Sequence, residues 1–111
     1  MGKTSQRKGA VGERELANIL RDVYGYEVKR GSVFLHQSDM VGLMGIHPEV
    51  KRVEKLNIHT AMEQAKEEAE KRKDGLPTVF HRKNRTEWLV TQRLEDWIDL
   101  YGAWVDEKET T

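Results

Sequence analysis

Apolar residues recur along this chain with two different spacings, one typical of helices and one typical of strands. Three segments have apolar residues every three or four positions, as on one face of a helix: 10–24, about 60–73 and 92 to about 101. Five shorter segments have the alternation or the short apolar runs of strands: 27–30, 38–43, 46–53, 78–82 and 87–91. The resulting order, α-β-β-β-α-β-β-α, predicts an α/β domain with a central mixed sheet of about five strands flanked by helices.

The three predicted helices differ in their apolar faces. The faces of the first and last helices consist of Leu16, Ile19, Leu20 and Val23, and of Leu94, Trp97, Ile98 and Tyr101. Trp104 and Val105 are expected to fold back onto the last helix. The second helix has Ala61, Ala65 and Ala69, small residues that let a helix lie close to a sheet. Either Thr60 or Asn57 could cap its N-terminus.

Two further predictions concern how these elements connect. Gly45 allows a turn, which predicts an antiparallel hairpin between 38–43 and 46–53. The length of 111 residues suits one domain over 1–111, with flexible tails at 1–6 and 106–111.

Composition narrows the setting and the partners. The chain has no cysteine, which excludes disulfides and thiolate metal sites and favours a reducing, cytoplasmic location. It has no apolar run of the ~20 residues that cross a bilayer, so no membrane association is expected. The net charge is zero, with 19 basic and 19 acidic residues, which argues against a generic basic coat for nucleic acid. Basic residues are nevertheless concentrated in 1–12 and 81–85, and six acids face one lysine from Leu94 onward.

Acidic residues fall on faces of the predicted elements that should turn inward. Glu13 shares the apolar face of the first helix, Asp39 shares a strand face with Val41, and Glu49 shares a face with Lys51. The predicted hairpin would bring the carboxylates of Asp39 and Glu49 within several ångströms of each other. Two carboxylates that close repel unless one takes up a proton or a cation lies between them.

The oxygen-rich set points to a magnesium-dependent hydrolysis. Oxygen ligands with open positions suit Mg²⁺, and Mn²⁺ could substitute. The four histidines have no metal-binding spacing, and His36 and His47 are expected at the surface or in turns. Carboxylate-held Mg²⁺ can bind a phosphate oxygen and lower the pKa of a bound water, while Lys51 supplies a fixed positive charge. Glu13 could bind the metal through water or share a second ion, and Gln64 could orient the water.

The motifs resemble a known family. The segments "KGAVGERELANIL" (8–20), "YEVKRGS" (26–32), "SD" (38–39) and "EVK" (49–51) occur in the order found in the PDDEXK nuclease superfamily. The resemblance is greatest to the small Holliday junction resolvases of the archaeal type and their phage-borne relatives. It covers about 8–100. Ser38 stands where the family often has proline.

The resemblance implies a fold, a reaction and a set of site residues. The fold is restriction-endonuclease-like and the activity is Mg²⁺-dependent hydrolysis of DNA phosphodiesters, here at four-way junctions, by a homodimer. The catalytic residues would be Glu13, Asp39, Glu49, Lys51 and Gln64. The metal would be held by Asp39, Glu49 and Glu13, with the Val50 carbonyl as a further candidate ligand. The DNA contacts would come from Arg7, Lys8, Arg30, Ser32 and Arg52.

Other interpretations stay open on the sequence alone. A different endonuclease of the same superfamily, nicking or cutting both strands in phage replication, packaging or restriction, would have the same motif order. A non-catalytic DNA-binding or protein-interaction module could share the fold. Individual residues also have plainer roles: Glu49 and Lys51 could be a surface ion pair, and single cations could solvate the surface. Trp88, Trp97 and Trp104 are expected in the core or in a dimer interface before they are expected to stack on bases.

Overall fold

The computed structural model describes residues 2–25, 27–32 and 37–110, with side chains described from residue 9 onward. Among these residues it contains three helices and five strands, in the predicted order α-β-β-β-α-β-β-α. They are α1 (Gly2–Tyr24), β1 (Lys29–Arg30), β2 (Met40–Val41), β3 (Ile46–Arg52), α2 (Ile58–Arg72), β4 (Leu76–Arg82), β5 (Leu89–Gln92) and α3 (Leu94–Thr110). Together they form a compact α/β domain.

The strands form two small sheets rather than one. Within the described residues, β1 and β2 form an antiparallel pair, and β3, β4 and β5 form a mixed sheet in that order. β3 and β4 are parallel, with Ile46 opposite Leu76, and α2 is the crossover that a parallel pair requires. The predicted sheet of about five strands and the predicted hairpin of 38–43 with 46–53 were therefore wrong. β2 pairs with β1 instead.

Helices α1 and α2 cover opposite faces of the mixed sheet. Val79 and Phe80 are consecutive in β4, so their side chains point to opposite faces. Phe80 packs in a cluster with α1 residues such as Leu16, and Val79 packs with Ala61 and Ala65 of α2. The prediction that small residues face the sheet from α2 is confirmed. Asn57 caps α2, because its side chain accepts a hydrogen bond from the Thr60 N–H at 3.1 Å.

Gly12 allows α1 to approach β3 closely. A Cβ atom on Gly12 would lie 2.5 Å from the Cβ of Arg52, closer than side chains normally pack. Further along α1, Glu15 accepts hydrogen bonds from Arg82 and, at 2.8 Å, from the indole N–H of Trp88. These contacts fix the first helix against the C-terminal end of β4 and the start of β5, and they place Trp88 at the edge of the core.

The helix boundaries and faces differ from the prediction in three respects. α1 begins at Gly2 rather than residue 10, because periodic apolar residues mark only the part of a helix that packs. Ile19 and Val23 of α1 are exposed, and Ala17 takes their expected place in the core. α3 continues to Thr110, so Trp104 does not fold back but stacks on Tyr101 along the same helix. The flexible tails stay a prediction.

Candidate active site

Asp39 lies where the two small sheets meet. It stands just before β2, and its carbonyl accepts a hydrogen bond from the Gly31 N–H at 2.9 Å, which extends the β1–β2 pairing. Its side-chain Oδ2 accepts a hydrogen bond from the Val50 N–H of β3 at 2.8 Å. The carboxylate thus accepts a hydrogen bond from a β3 backbone N–H that would otherwise be available to a neighbouring strand. This explains why no hairpin forms here and still brings Asp39 beside Glu49.

Glu49 and Lys51 lie on one face of β3, as predicted from their spacing. The Glu49 side chain is only 8% exposed, and the Nζ atom of Lys51 lies 3.4 Å from its Oε1. Burial raises the pKa of Glu49, and the nearby negative charge of Asp39 raises it further. The charge and hydrogen bond of Lys51 oppose this rise. Glu49 is therefore a carboxylate that its surroundings would make easier to neutralise, by a proton or by a cation.

Glu13 reaches the same region from α1. Its side chain is 16% exposed, and its Oε1 accepts a hydrogen bond from Arg30 Nε at 3.3 Å. Burial raises the pKa of Glu13 and the charge of Asp39 adds to that effect, while Arg30 lowers the pKa. The structure thus brings together Glu13, Asp39, Glu49 and Lys51, and it adds Arg30 to them.

This cluster has the oxygen donors for a divalent cation. Three carboxylates stand against two cationic side chains, Arg30 and Lys51, so the fully ionised cluster has one excess negative charge. No three acidic or histidine side chains among the described residues already form a metal-binding group. Mg²⁺ does not require such a group, since proteins commonly hold it with one or two carboxylates together with water and substrate phosphate. Asp39 and Glu49 fit that requirement by their chemistry.

The other predicted site residues lie in varied positions. Gln64 is exposed on α2 and makes no hydrogen bond with the acidic cluster in the described part of the chain. Ser32 is half-buried, and its N–H donates to Gln37 Oε1 at 2.9 Å. Arg52 donates to Asn84 Oδ1 at 2.7 Å. Arg7 and Lys8 lie on α1, but their side chains, like residue His36, are outside the described part of the structure.

A basic edge lies next to the acidic cluster. In the parallel register Lys51 is opposite His81 and Arg52 is opposite Arg82, so the ends of β3 and β4 lie side by side. The bond from Arg52 to Asn84 then holds the turn after β4 against the end of β3. That turn includes the exposed cations Lys83 and Arg85. These cations lie at the end of β3 that includes Lys51, although Lys51 and Arg52, as consecutive strand residues, point to opposite faces.

Sequence reasoning missed a buried polar network behind the cluster. His47 was expected at the surface, but it is almost fully buried, and its Nδ1 lies 2.8 Å from Oδ1 of Asp74. The hydroxyl of Ser38 donates to Oδ2 of the same aspartate at 2.6 Å. The network anchors the residue before Asp39 to the segment that enters β4. The alternation of His47, Glu49 and Lys51 on one strand face was the signal that could have revealed it.

Comparisons with protein-family models, with curated proteins and with solved structures found no match to this chain. No helix in the described ranges is both long enough and apolar enough to cross a membrane.

Proposed function

We propose that this protein is a Mg²⁺-dependent DNA endonuclease that hydrolyses phosphodiester bonds and selects four-way junctions. The observation that supports it most is the position of Asp39. Its carboxylate is held by the Val50 N–H. Burial raises the pKa of both Glu13 and Glu49, and the nearby charge of Asp39 raises each further, so three acids from three separate segments share one site. A purely structural role does not require acids on one spot, because their mutual repulsion costs stability.

Each residue of the cluster has a role in this proposal. Asp39 and Glu49 would hold the cation, with the Val50 carbonyl as a further ligand. Bound there, Mg²⁺ would polarise a phosphate oxygen and lower the pKa of a water molecule. The Val50 N–H fixes the orientation of Asp39. Lys51 places its positive charge beside the site, where negative charge would develop on the phosphate. Glu13 completes the acidic set from α1, and Gln64 keeps its predicted role as a residue that orients water.

DNA binding would use the cationic residues around this cluster. The neutral overall charge favours local contacts over a general basic surface. Arg52 stands at the end of β3 beside the turn with Lys83 and Arg85. Arg7, Lys8 and Ser32 keep their predicted role in phosphate contact. Arg30 pairs with Glu13, so it would also balance charge within the site. Such a nuclease would act on DNA in the cytoplasm of a bacterial or phage-infected cell, and two copies would supply the paired cuts that a junction needs.

The test compares cleavage of a four-way junction, a fork and a plain duplex by the wild-type protein, with Mg²⁺, with Mn²⁺ and with EDTA. The expected result is metal-dependent cleavage of the junction at a rate well above that of the duplex. Asp39→Asn should abolish cleavage. Asp22→Asn is the matched control, because it removes one carboxylate charge from an exposed position on α1, and it should cleave normally.

The possible outcomes separate the alternatives. Equal rates on junction and duplex would reject junction selectivity and leave a general endonuclease of the same type. No cleavage of any substrate with either metal, combined with retained DNA binding, would favour a non-catalytic DNA-binding module.

A further inference from the structure

Helix α3 presents an uncovered aromatic face. Trp97, Tyr101 and Trp104 are 51%, 49% and 53% exposed, and Leu94 and Ile98 are exposed beside them. The rings stack in sequence along the helix, with centroid distances of 5.0 Å and 5.9 Å. No other helix or strand in the described part of the chain packs extensively against α3. A continuous apolar face of this kind usually marks a surface that another molecule covers.

The charges on α3 indicate what kind of molecule covers it. Six acids and one lysine lie between Leu94 and Thr110. Successive residues of an α-helix are rotated by about 100° around its axis. With this rotation, five of the acids lie on the side of α3 away from the aromatic rings or at the edge of the aromatic face. The sixth, Asp96, is buried against Arg93. A helix with this negative charge would repel a phosphate backbone, which argues against base stacking by Trp97 and Trp104. A protein surface would meet the apolar face without bringing its acids into contact.

The order of residues on this face is self-complementary. Apolar positions lie three and four residues to either side of Tyr101: Ile98 and Trp104, and Trp97 and Val105. If two copies of α3 cross antiparallel about a twofold axis at Tyr101, Trp104 of each copy meets Ile98 of the other. Trp97 likewise meets Val105. Each indole then packs against a smaller aliphatic side chain, whereas a parallel pairing would place each tryptophan against itself.

We propose that the aromatic face of α3 is the interface of a homodimer, with the two helices antiparallel and Tyr101 on the twofold axis. The exposed parts of the three aromatic side chains and of Leu94 and Ile98 amount to roughly 500 Å² per copy, compared with about 800 Å² per partner in a standard interface. Val90 of β5 can supply part of the remainder, because it lines the same hollow as Leu94 and Trp97. This proposal does not depend on nuclease activity, since it is tested without DNA or metal.

The first test measures the mass of the protein in solution as a function of concentration by sedimentation velocity. The wild-type chain should approach twice its monomer mass of 12.9 kDa. Tyr101→Glu should raise the dimer dissociation constant at least about 30-fold, as expected for a central aromatic contact. Ala103→Glu, which adds the same charge to an exposed position on the opposite side of α3, should leave it within about threefold. A monomeric wild-type protein, or equal effects of the two variants, would overturn the proposal.

The second test uses the absence of cysteine from the chain. Under mild oxidation Tyr101→Cys should form a disulfide-linked dimer, and Asp99→Cys on the acidic side should not. A mixture of Ile98→Cys and Trp104→Cys should cross-link one variant to the other. If each variant cross-links only to itself, the helices are parallel and the antiparallel arrangement is wrong. Circular dichroism of every variant checks that the fold is retained, which is expected because these side chains are exposed.

Discussion

Two substitutions of Asp39 should separate its part in stability from its part in cleavage. In Asp39→Asn the amide oxygen can still accept the Val50 N–H, but the bond becomes neutral and loses about 1 kcal/mol relative to a charged one. Removal of the negative charge also ends the repulsion with Glu13 and Glu49, which offsets part of that loss. The free energy of unfolding should therefore stay within about 1 kcal/mol of the wild-type value.

Asp39→Ala removes the acceptor altogether. The Val50 N–H would then lose its partner at the edge of β3, and an unsatisfied buried donor costs about 1–3 kcal/mol. After the same relief of repulsion, a net loss of about 1–2 kcal/mol is expected, or a fall in Tm of roughly 4–8 °C. Both variants lose a proposed metal ligand, so both should lose at least about 10³-fold in cleavage rate, equivalent to about 4 kcal/mol of transition-state stabilisation.

The assay for both variants combines thermal unfolding followed by circular dichroism with single-turnover cleavage of a four-way junction at saturating Mg²⁺. Near-wild-type cleavage by Asp39→Asn would show that the carboxylate binds no catalytic metal. Identical stabilities of Asp39→Asn and Asp39→Ala would show that the bond to the Val50 N–H contributes nothing, and the explanation of how the two sheets meet would be wrong.

Four further results are expected. Burial and the charge of Asp39 raise the pKa of Glu13 and Glu49, so protons compete with the cation at pH values above the ordinary pKa of glutamate. The Mn²⁺ affinity measured by calorimetry should therefore rise with pH. An affinity that does not change with pH would contradict this. Between the ordinary glutamate pKa and the raised values, the folded state binds more protons than the unfolded chain. The free energy of unfolding without metal should therefore fall as the pH rises through the raised pKa values. Urea titrations of a Glu49→Gln variant should show a smaller fall. Lys51→Ala should abolish cleavage of the junction but change DNA binding in gel shifts only slightly. If the variant instead loses DNA binding, Lys51 contacts DNA and has no separate part in cleavage. Gly31→Ala should unfold the site or destabilise the chain by more than about 3 kcal/mol, because its Cβ would overlap the Ser38 carbonyl. The control Gly9→Ala, in open space on α1, should be neutral or stabilise the chain by about 0.5–1 kcal/mol. Similar melting temperatures for the two variants would refute the close approach of Gly31 to Ser38.

The acidic cluster was predictable from the sequence, but the route that assembles it was not. Spacing along β3 placed Glu49 and Lys51 on one face, but Asp39 was placed beside Glu49 only through the predicted hairpin, which does not form. The predicted hairpin was wrong because a side-chain carboxylate, rather than a backbone strand, accepts the Val50 N–H. A choice between these two acceptors depends on three-dimensional geometry, which local patterns do not contain.

The apolar spacing correctly predicted which segments are helices, but it did not predict which apolar side chains are buried. The spacing in α3 correctly indicated a helix, yet Trp97 and Tyr101 are half exposed. Periodicity shows that one face of a helix is apolar, but it cannot show whether the partner of that face lies in the same chain. His47 illustrates the converse, because a polar residue became buried once Asp74, 27 residues away, supplied a hydrogen-bond partner.

The contacts of Glu15 have a consequence for the order of events during synthesis. The residue belongs to the first helix, yet its partners Arg82 and Trp88 follow 67 and 73 positions later. On a ribosome, α1 would therefore emerge long before the groups that fix it in place. Glu13, two residues before Glu15, would reach its final position only after Trp88 had been translated, so truncated products ending before Trp88 should lack a complete acidic cluster.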